Sequence, residues 1–169
     1  GDYNNYNHIP NKEATLKINK ANYDMGGITF SDKEVTYDGE VHSLAISGTL
    51  PQGVSVEYQN NDKTNADTYT VTAKFTGDAN NYNAISNMTA TLKINKAASV
   101  ITANDLTVTY NKLAHSISGT LNHDETTLSY KYGSNDSQAT PIEFTNVGTY
   151  TVTISAIETA NYLSVSKNV

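Results

Sequence analysis

The stretch ADTYTVTAKF, residues 66–75, decides the fold because its apolar and polar side chains alternate strictly. One side of the extended chain carries Tyr69, Val71, Ala73 and Phe75. Threonines and a lysine occupy the other side, a period of two that is typical of a strand with one buried and one wet face. The stretch VGTYTVTISA, residues 147–156, repeats the pattern. The chain therefore contains the same strand twice.

Each of these strands begins near a tyrosine that follows a tight turn. Asn65-Ala66-Asp67 precedes Tyr69, and Asn146-Val147-Gly148 precedes Tyr150. A tyrosine at this place can bury its ring while its hydroxyl donates a hydrogen bond to the backbone of the turn, as in the tyrosine corner of immunoglobulin-like sandwiches. We predict this corner in both copies. The alternative is an inward tyrosine without this hydrogen bond, which would give the same fold.

Outside these strands, whole segments recur. GDYNNYNHIPNKEATLKINKA at 1–21 returns as GDANNYNAISNMTATLKINKA at 77–97, with differences at only five positions. VTYDGEVHSLAISGTL at 35–50 answers to VTYNKLAHSISGTL at 108–121. Such self-similarity at a fixed period is the signature of a tandem array.

The recurrence predicts three parts. Residues 1–21 read as the C-terminal tail, with the last turn and strand, of a preceding repeat, residues 22–97 as module 1, and residues 98–169 as module 2. Eight residues after Tyr82 the sequence reaches Ala90, whereas eight residues after Tyr162 would fall beyond Val169. We therefore expect module 2 to lack its last strand.

Turn-forming residues separate the alternating segments at short intervals, and no window carries the 3.6-residue apolar period of a helix. Six or seven short strands per module, each with one apolar face, favour two sheets packed face to face. The predicted fold class is all-β, with two tandem immunoglobulin-like β-sandwich modules in an elongated arrangement.

Composition excludes several classes of function. The net charge is −6 and all 11 basic residues are lysine, so binding to a phosphate backbone has little electrostatic basis and nucleic acid is not an expected partner. No apolar run is long enough to cross a bilayer, so we expect no membrane contact by this fragment. The acidic composition, rich in Asn and Thr, fits an exposed extracellular surface.

The sequence gives no sign of an enzyme, a metal site or a cofactor. There is no cysteine, no nucleophile elbow and no glycine-rich phosphate loop. His42 and His115 occupy equivalent positions, where hydrogen bonding at a strand edge is the favoured interpretation, because a metal site needs three or four converging ligands. The Asp- and Asn-rich turn at 77–81 could offer oxygens to calcium, but turn formation explains it better.

Two polar clusters are candidates for binding. The Tyr-Asn motifs at 3–6 and 80–82 resemble surfaces that read glycans, yet their recurrence once per module favours a role in the turn before the last strand or at the module junction. Module 2 also has ten extra residues near 132–141, and loops on a rigid scaffold commonly carry binding. The candidate ligand-binding residues are Tyr132, Gly133, Ser134, Asn135 and Asp136. A longer solvated hairpin is the alternative.

Three segments carry a resemblance to a known family: YDGEVHSLAISGTLPQGVSVEY at 37–58, TNADTYTVTAKFTGDANNYN at 64–83, and ATLKINKA at 90–97. They resemble the tandem repeats of Gram-positive surface adhesins, most closely the MBG or YDG-type repeats in mucus-binding proteins of lactic acid bacteria. The resemblance implies a secreted, cell-wall-anchored protein that binds mucus through immunoglobulin-like or, in some relatives, β-grasp modules. It implies no catalytic residues.

The resemblance and the repeats lead to one main hypothesis and one rival. The first is an adhesin repeat that serves cell adhesion by binding mucin or another host glycoprotein weakly per repeat and strongly through many repeats. It would lie at the cell surface, anchored through a segment outside this fragment. The rival is a purely structural stalk. Neighbouring repeats are expected partners, and Ala14–Asn19 is predicted to pair as an added strand with module 2 of another molecule.

Overall fold

The computed structural model of the protein describes residues 4, 7 and 9–169. Its strands are β1 (Lys33–Thr36), β2 (Ser55–Gln59), β3 (Asp67–Thr76), β4 (Met88–Asn95), β5 (Ile101–Thr102), β6 (Thr120–Leu121), β7 (Ser129–Tyr132), β8 (Val152–Ala156) and β9 (Val165–Asn168). The described residues contain no helix. The prediction of an all-β chain with two tandem modules is confirmed.

Module 1 is built on a four-stranded sheet with the order β1-β4-β3-β2. The alternating strand β3 lies inside the sheet and pairs antiparallel with both β2 and β4. The edge strand β1 runs parallel to the second half of β4, with Val35 opposite Ile94. The inward positions of β3 and β4 form the core, with Val71 and Leu92 both 0% exposed. The sequence pattern placed these side chains on the correct face.

The other layer of module 1 is less regular than the predicted sandwich. Single bridges join Thr29 to Ser47 and His42 to Lys63, and Leu44 is buried between this layer and the sheet. Gly48 has φ 107, and a Cβ there would lie 2.1 Å from the carbonyl oxygen of Gly27. The backbone segments thus approach too closely for a regular side-chain-bearing strand, a constraint that alternation alone does not reveal.

Module 2 has a three-stranded sheet, β7-β8-β9, and a two-stranded sheet, β5-β6. Its core contains Ile101, Tyr130, Val152 and Ile154, each at most 5% exposed. Val152 and Ile154 occupy the places that Val71 and Ala73 hold in module 1. Both modules therefore use the same alternating strand as the centre of their core.

The expectation that module 2 lacks its last strand needs correction. β9 pairs antiparallel with β8, with Ile154 opposite Lys167, as Ala73 lies opposite Met88 in module 1. β9 therefore corresponds to the first half of the last strand of module 1. The sequence comparison missed it because SVSKNV at 164–169 has little identity with the corresponding segment of module 1, although the inward Val165 and Val169 suffice to join the core.

Candidate functional site

Tyrosine corners fix the turn at the start of the central strand in both modules. The hydroxyl of Tyr69 donates to the carbonyl oxygen of Asn65 at 2.9 Å, and that of Tyr150 donates to Asn146 at 3.0 Å. Both contacts are the predicted ones. They hold residues 65–66 and 146–147 in equivalent conformations at the same end of each module.

In module 1 this end meets module 2 through a buried asparagine. The side-chain oxygen of Asn161 accepts a hydrogen bond from the backbone N–H of Ala66 at 2.8 Å, and its amide nitrogen donates to Glu125 at 2.8 Å. Beside it, the rings of Tyr37 and Tyr162 meet edge to face with centroids 5.5 Å apart. Asn161 and Tyr162, which correspond to Asn81 and Tyr82 of module 1, therefore lie at the module junction.

The chain segment that links the modules is also held in place. The N–H of Ala97 donates to the carbonyl of Asn161 at 2.8 Å, and the N–H of Leu163 donates to Ala97 at 2.9 Å. The Lys96 ammonium group donates to the carbonyl of Thr159 at 2.7 Å and pairs with Glu158. Module 2 is thus bound to the end of module 1 through backbone, amide and aromatic contacts.

The same link precedes module 1. Ala21 exchanges backbone hydrogen bonds with Asn81 and Asn83 at 2.9 and 2.8 Å, and Lys20 donates to the carbonyl of Ala79 at 2.5 Å. Asp78 caps this turn by accepting from the N–H of Asn80 at 2.8 Å. The turn chemistry favoured over calcium is therefore present. Of the earlier Tyr-Asn cluster at 3–6, all but Asn4 lies outside the described residues.

The links at Ala21 and Ala97 differ in which ring stacks on the tyrosine of the adjacent Asn-Tyr pair. Tyr23 stacks on Tyr82 with centroids 4.1 Å apart, whereas His123 stacks on Tyr162 at 3.7 Å. Ser99 takes the sequence position of Tyr23 and is hydrogen-bonded to His123 at 3.0 Å. The sequence comparison did not identify His123 as the replacement for Tyr23. The His123 ring comes from a different loop, so the two positions do not align.

Two titratable groups at the junction have shifted pKa values. Hydrogen bonds from the Thr159 hydroxyl and the Asn161 amide hold the pKa of Glu125 below its ordinary value. Burial raises the pKa of the Tyr37 hydroxyl, and the nearby Glu125 carboxylate adds to this effect. Both shifts favour a charged Glu125 and a neutral Tyr37 across the junction.

The candidate ligand-binding residues form the end of a hairpin. Tyr130 and Gln138 exchange backbone hydrogen bonds at 2.8 and 3.0 Å, and Gly133 has φ 58 in the turn between them. Ser134, Asn135 and Asp136 are exposed at this tip. The Tyr132 ring instead packs edge to face on Phe144 and Tyr150, at 5.1 and 5.8 Å. The structure thus presents four of the five residues to solvent, while Tyr132 supports the hairpin from within.

A groove of about 540 Å³ lies elsewhere in module 2. Its lining includes Leu106, Val108, Tyr110, Thr149 and Tyr150. Residues 106–109 are the counterpart of β1, and they are not assigned as a strand. In module 1 the second half of β4 lies between β1 and β3, in the corresponding space. None of the five candidate ligand residues lines the groove.

The two equivalent histidines have the predicted strand-edge contacts. His42 lies 3.0 Å from the Asp38 carboxylate, and His115 lies 3.0 Å from the side-chain oxygen of Asn111. Across residues 4, 7 and 9–169, no three His, Asp or Glu side chains are grouped as metal ligands would be. In the same residues, no helix is long and apolar enough to cross a membrane.

Comparison with known proteins identifies the repeats. The family model described as the MBG domain matches residues 26–98 and again residues 99–168. Neither the search of curated proteins nor that of solved structures returned a significant match. The two adjacent matches cover most of the sequence and agree with the tandem modules seen in the structure. The chain belongs to the MBG domain family.

Proposed function

We propose that the chain is a repeat segment of a bacterial cell-surface adhesin that binds mucin or another host glycoprotein through many weak contacts. The observation that carries the proposal is the double MBG match on two modules joined by the buried Asn161 contact to Ala66. Several copies of this segment joined in series would carry the same surface at regular intervals, and linked weak sites gain avidity from the high local concentration of the second site.

The proposed location is extracellular, in a Gram-positive bacterium, with cell-wall anchoring through a segment outside these residues. The net charge of −6 and the absence of arginine and cysteine accord with a solvated surface protein. No catalytic role is proposed, since the described side chains that approach one another serve turns, strand edges and the junction.

The proposed contact surface is the hairpin tip at Gly133–Asp136. Its hydroxyl, amide and carboxylate groups are exposed and can form hydrogen bonds with sugar hydroxyls. The packed Tyr132 ring holds the base of the hairpin against Phe144, so the loop is presented on a fixed support. This tip belongs to the insertion that distinguishes module 2, so module 1 does not duplicate it.

Surface plasmon resonance on immobilised mucin tests the proposal with the chain as a monomer and as a genetic fusion of several copies. We expect weak binding of the monomer and a gain of about 100-fold or more in the fusion. The triple variant Ser134→Ala, Asn135→Ala, Asp136→Ala should abolish mucin binding by both the monomer and the fusion. The control Glu57→Ala, Ser86→Ala, Asn87→Ala changes three exposed residues of module 1, with the same loss of charge, and should bind normally.

A structural stalk is the second candidate function, and the junction itself favours it. Asn161, Tyr162 and Lys96 together fix one module on the next, as a spacer that projects a distant binding domain requires. Failure of the multivalent fusion to bind mucin at any valency would reject the first proposal and support the stalk. Equal binding by the two triple variants would reject only the hairpin as the contact surface.

A further inference from the structure

A second cavity lies in module 1, beside the turn that follows β3. Its volume of about 180 Å³ equals that of about six water molecules. The cavity is formed by one aromatic ring from the start of the module and by residues on both sides of the turn. Its lining includes Tyr23, Phe75, Asp78, Asn83, Ala84 and Ile85. A space of this size holds one small ring-shaped molecule.

The floor of this cavity is apolar and belongs to the core of module 1. Phe75 is buried, and the partly buried Ile85 packs against the same cluster. Tyr23 forms an aromatic wall, with its ring stacked on Tyr82 at 4.1 Å between centroids. The Tyr23 hydroxyl accepts a hydrogen bond from the backbone N–H of Asp78 at 2.7 Å. The wall is therefore held in position by contacts within the protein.

Gly77 allows the aromatic wall to lie directly against the backbone of the turn. A Cβ at this position would lie 2.6 Å from an atom of the Tyr23 ring, which is closer than side chains approach. The ring and the turn thus support each other. A site that is already ordered loses little conformational entropy when a ligand binds.

The rim of the cavity is polar and offers hydrogen-bond acceptors to solvent. The Asp78 carboxylate accepts from the Asn80 N–H at 2.8 Å and from the Asn81 side-chain amide at 2.7 Å, and each of its oxygens can accept a further bond. The Asn83 side-chain amide donates to Asn22 at 2.8 Å, and the Asn83 side-chain oxygen has no partner among the described residues. Asp78 and Asn83 are both exposed.

The charges beside the cavity are balanced. Hydrogen bonds from Asn81 and Asn80 hold the pKa of Asp78 below its ordinary value, and the nearby Lys20 ammonium group adds to this effect. Lys20 donates to the carbonyl of Ala79 in the same turn. One carboxylate and one ammonium group leave no net charge to attract an ion. The lining therefore suits a neutral molecule with an apolar face and several hydroxyl donors, as a pyranose sugar has.

Module 2 has different side chains at the corresponding positions. Tyr23 corresponds to Ser99, Phe75 to Ala156, Asp78 to Thr159 and Asn83 to Leu163. Neither the aromatic wall nor the two rim oxygens come from equivalent residues there. The lining is thus particular to module 1 and is not required by the framework that the two modules share.

We propose that the cavity beside Tyr23 binds a single neutral pyranose residue of a glycan. The apolar face of the sugar would lie against the aromatic and aliphatic lining, and its hydroxyls would donate to Asp78 and Asn83. This inference rests on the proposed function, because it names the class of sugar that the glycoprotein would present. With the hairpin tip of module 2, each copy of the chain would carry two different contact sites.

NMR titration of the isotope-labelled chain with galactose, N-acetylgalactosamine and N-acetylglucosamine tests the proposal. We expect at least one sugar to shift the backbone amide signals of residues 76–79 and 83–85, with a Kd of about 1–10 mM because so small a ligand makes few contacts. Galacturonic acid has the ring of galactose with an added carboxylate. It should cause smaller shifts than galactose, because its charge lies near the Asp78 carboxylate.

Three variants test the geometry of the site. Asn83→Ala removes a rim oxygen and should weaken sugar binding at least about fivefold. The matched control Asn22→Ala loses the same amide hydrogen bond, but Asn22 does not line the cavity, so binding should be unchanged. Ala84→Leu adds bulk at the rim and should abolish the shifts. All three positions are exposed, so the fold is not at risk.

The absence of shifts at 76–79 and 83–85 with all three sugars at about 100 mM would overturn the proposal, as would shifts confined to the hairpin tip. Equal weakening by Asn83→Ala and Asn22→Ala would also overturn it, because the amide pair and not the rim oxygen would then govern binding. Equal shifts with galactose and galacturonic acid would reject the neutral class.

The mucin measurement on the multivalent fusion separates failure of this site from failure of the proposed function. Mucin binding by the fusion, without sugar-dependent shifts in module 1, would reject the cavity as a sugar site and leave the adhesin proposal in place. Loss of both responses would reject both.

Discussion

The hexapeptide ATLKIN occurs twice in this chain, at 14–19 and at 90–95, with opposite structural outcomes. At 90–95 it is the core strand of module 1, and Leu92 is 0% exposed; at 14–19 it is not assigned to any strand, and Leu16 is 84% exposed. Local propensity is identical in the two places. A strand of this composition therefore needs neighbours on both edges and a layer beneath it before it forms.

The largest expected effect follows from substituting the same leucine in each copy. Leu92→Ala should lower the free energy of unfolding of module 1 by about 3 kcal/mol, because it leaves a cavity in a close-packed core. Leu16→Ala is the matched control and should change it by less than about 0.5 kcal/mol in the monomer. Urea denaturation, followed by hydrogen exchange of peptides from each module, measures both. Equal losses would show that 14–19 is packed on the fold.

The part of the fold that follows from local pattern was predictable from the sequence. Alternation located β3 and β8, and the tyrosines that follow tight turns predicted a hydroxyl contact to the backbone of each turn. The structure identifies the acceptors as the carbonyls of Asn65 and Asn146. These features depend on side chains within a few residues of one another. The physical causes of the alternating strands and of the tyrosine contacts can therefore be recognised in a short stretch of sequence.

The features that the sequence did not reveal depend on contacts between distant segments. The sequence comparison missed β9 because its pairing with β8 needs only extended backbone and the inward Val165. It does not need sequence identity with module 1. His123 replaces the ring of Tyr23 from another loop, so equivalent positions no longer match. The hairpin at 133–136 was located as an insertion, whereas the packing of Tyr132 on Phe144 required the tertiary structure.

Extending β9 by the residues that form the second half of β4 would test the comparison directly. Addition of TLKIN after Val169 continues the register of β9, so its leucine and isoleucine should enter the groove. We expect a gain of about 2 kcal/mol in the stability of module 2, since each buried side chain contributes about 2 kcal/mol and ordering the added residues offsets part of this. Addition of TKKKN is the control. No gain from either extension would show that the groove does not accept this strand.

The side chains of the two equivalent asparagines have different partners, since Asn161 bonds Ala66 of the other module and Asn81 bonds Asp78 of its own turn. Asn161→Ala removes the acceptor of the Ala66 N–H, so hydrogen exchange at Ala66 should become about tenfold faster. Asn81→Ala is the matched control, because the Asn81 side chain donates to Asp78 within its own turn and its removal should leave Ala66 unchanged. Site-resolved exchange by NMR measures the rates. Unchanged exchange in Asn161→Ala would mean that the junction does not persist in solution.

The tyrosine corners allow the same substitution in both modules. Tyr69→Phe and Tyr150→Phe each remove one hydroxyl, and each should lower stability by about 1 kcal/mol. The Tyr150 ring also stacks on Phe144 with centroids 4.0 Å apart, a contact that phenylalanine retains. Thermal unfolding of the two variants should therefore show similar losses. A much larger loss in one module would indicate that its turn is held by the hydroxyl alone.

The smallest expected effect concerns pH at the junction. The pKa of Glu125 is lowered by its hydrogen bonds to Thr159 and Asn161, so the folded state binds its proton less readily than the unfolded state does. Its stabilising contribution is present above the ordinary pKa of 4.5 and is lost as pH falls below that value toward the lowered folded pKa. Acidification should therefore speed exchange at Ala66, after correction for the intrinsic pH dependence of exchange.

Two glutamine variants separate this effect from the general loss of charge. Glu125→Gln should flatten the corrected acid dependence at Ala66, whereas Glu57→Gln removes the same charge from an exposed position of β2 and should not. The effect is modest, since Glu125 is exposed and its hydrogen bonds are partly screened by solvent. If both variants keep the full acid dependence, Glu125 does not hold Asn161 in place. The link between the modules would then depend on the backbone pairing of Ala97 and the edge contact of Tyr37 on Tyr162.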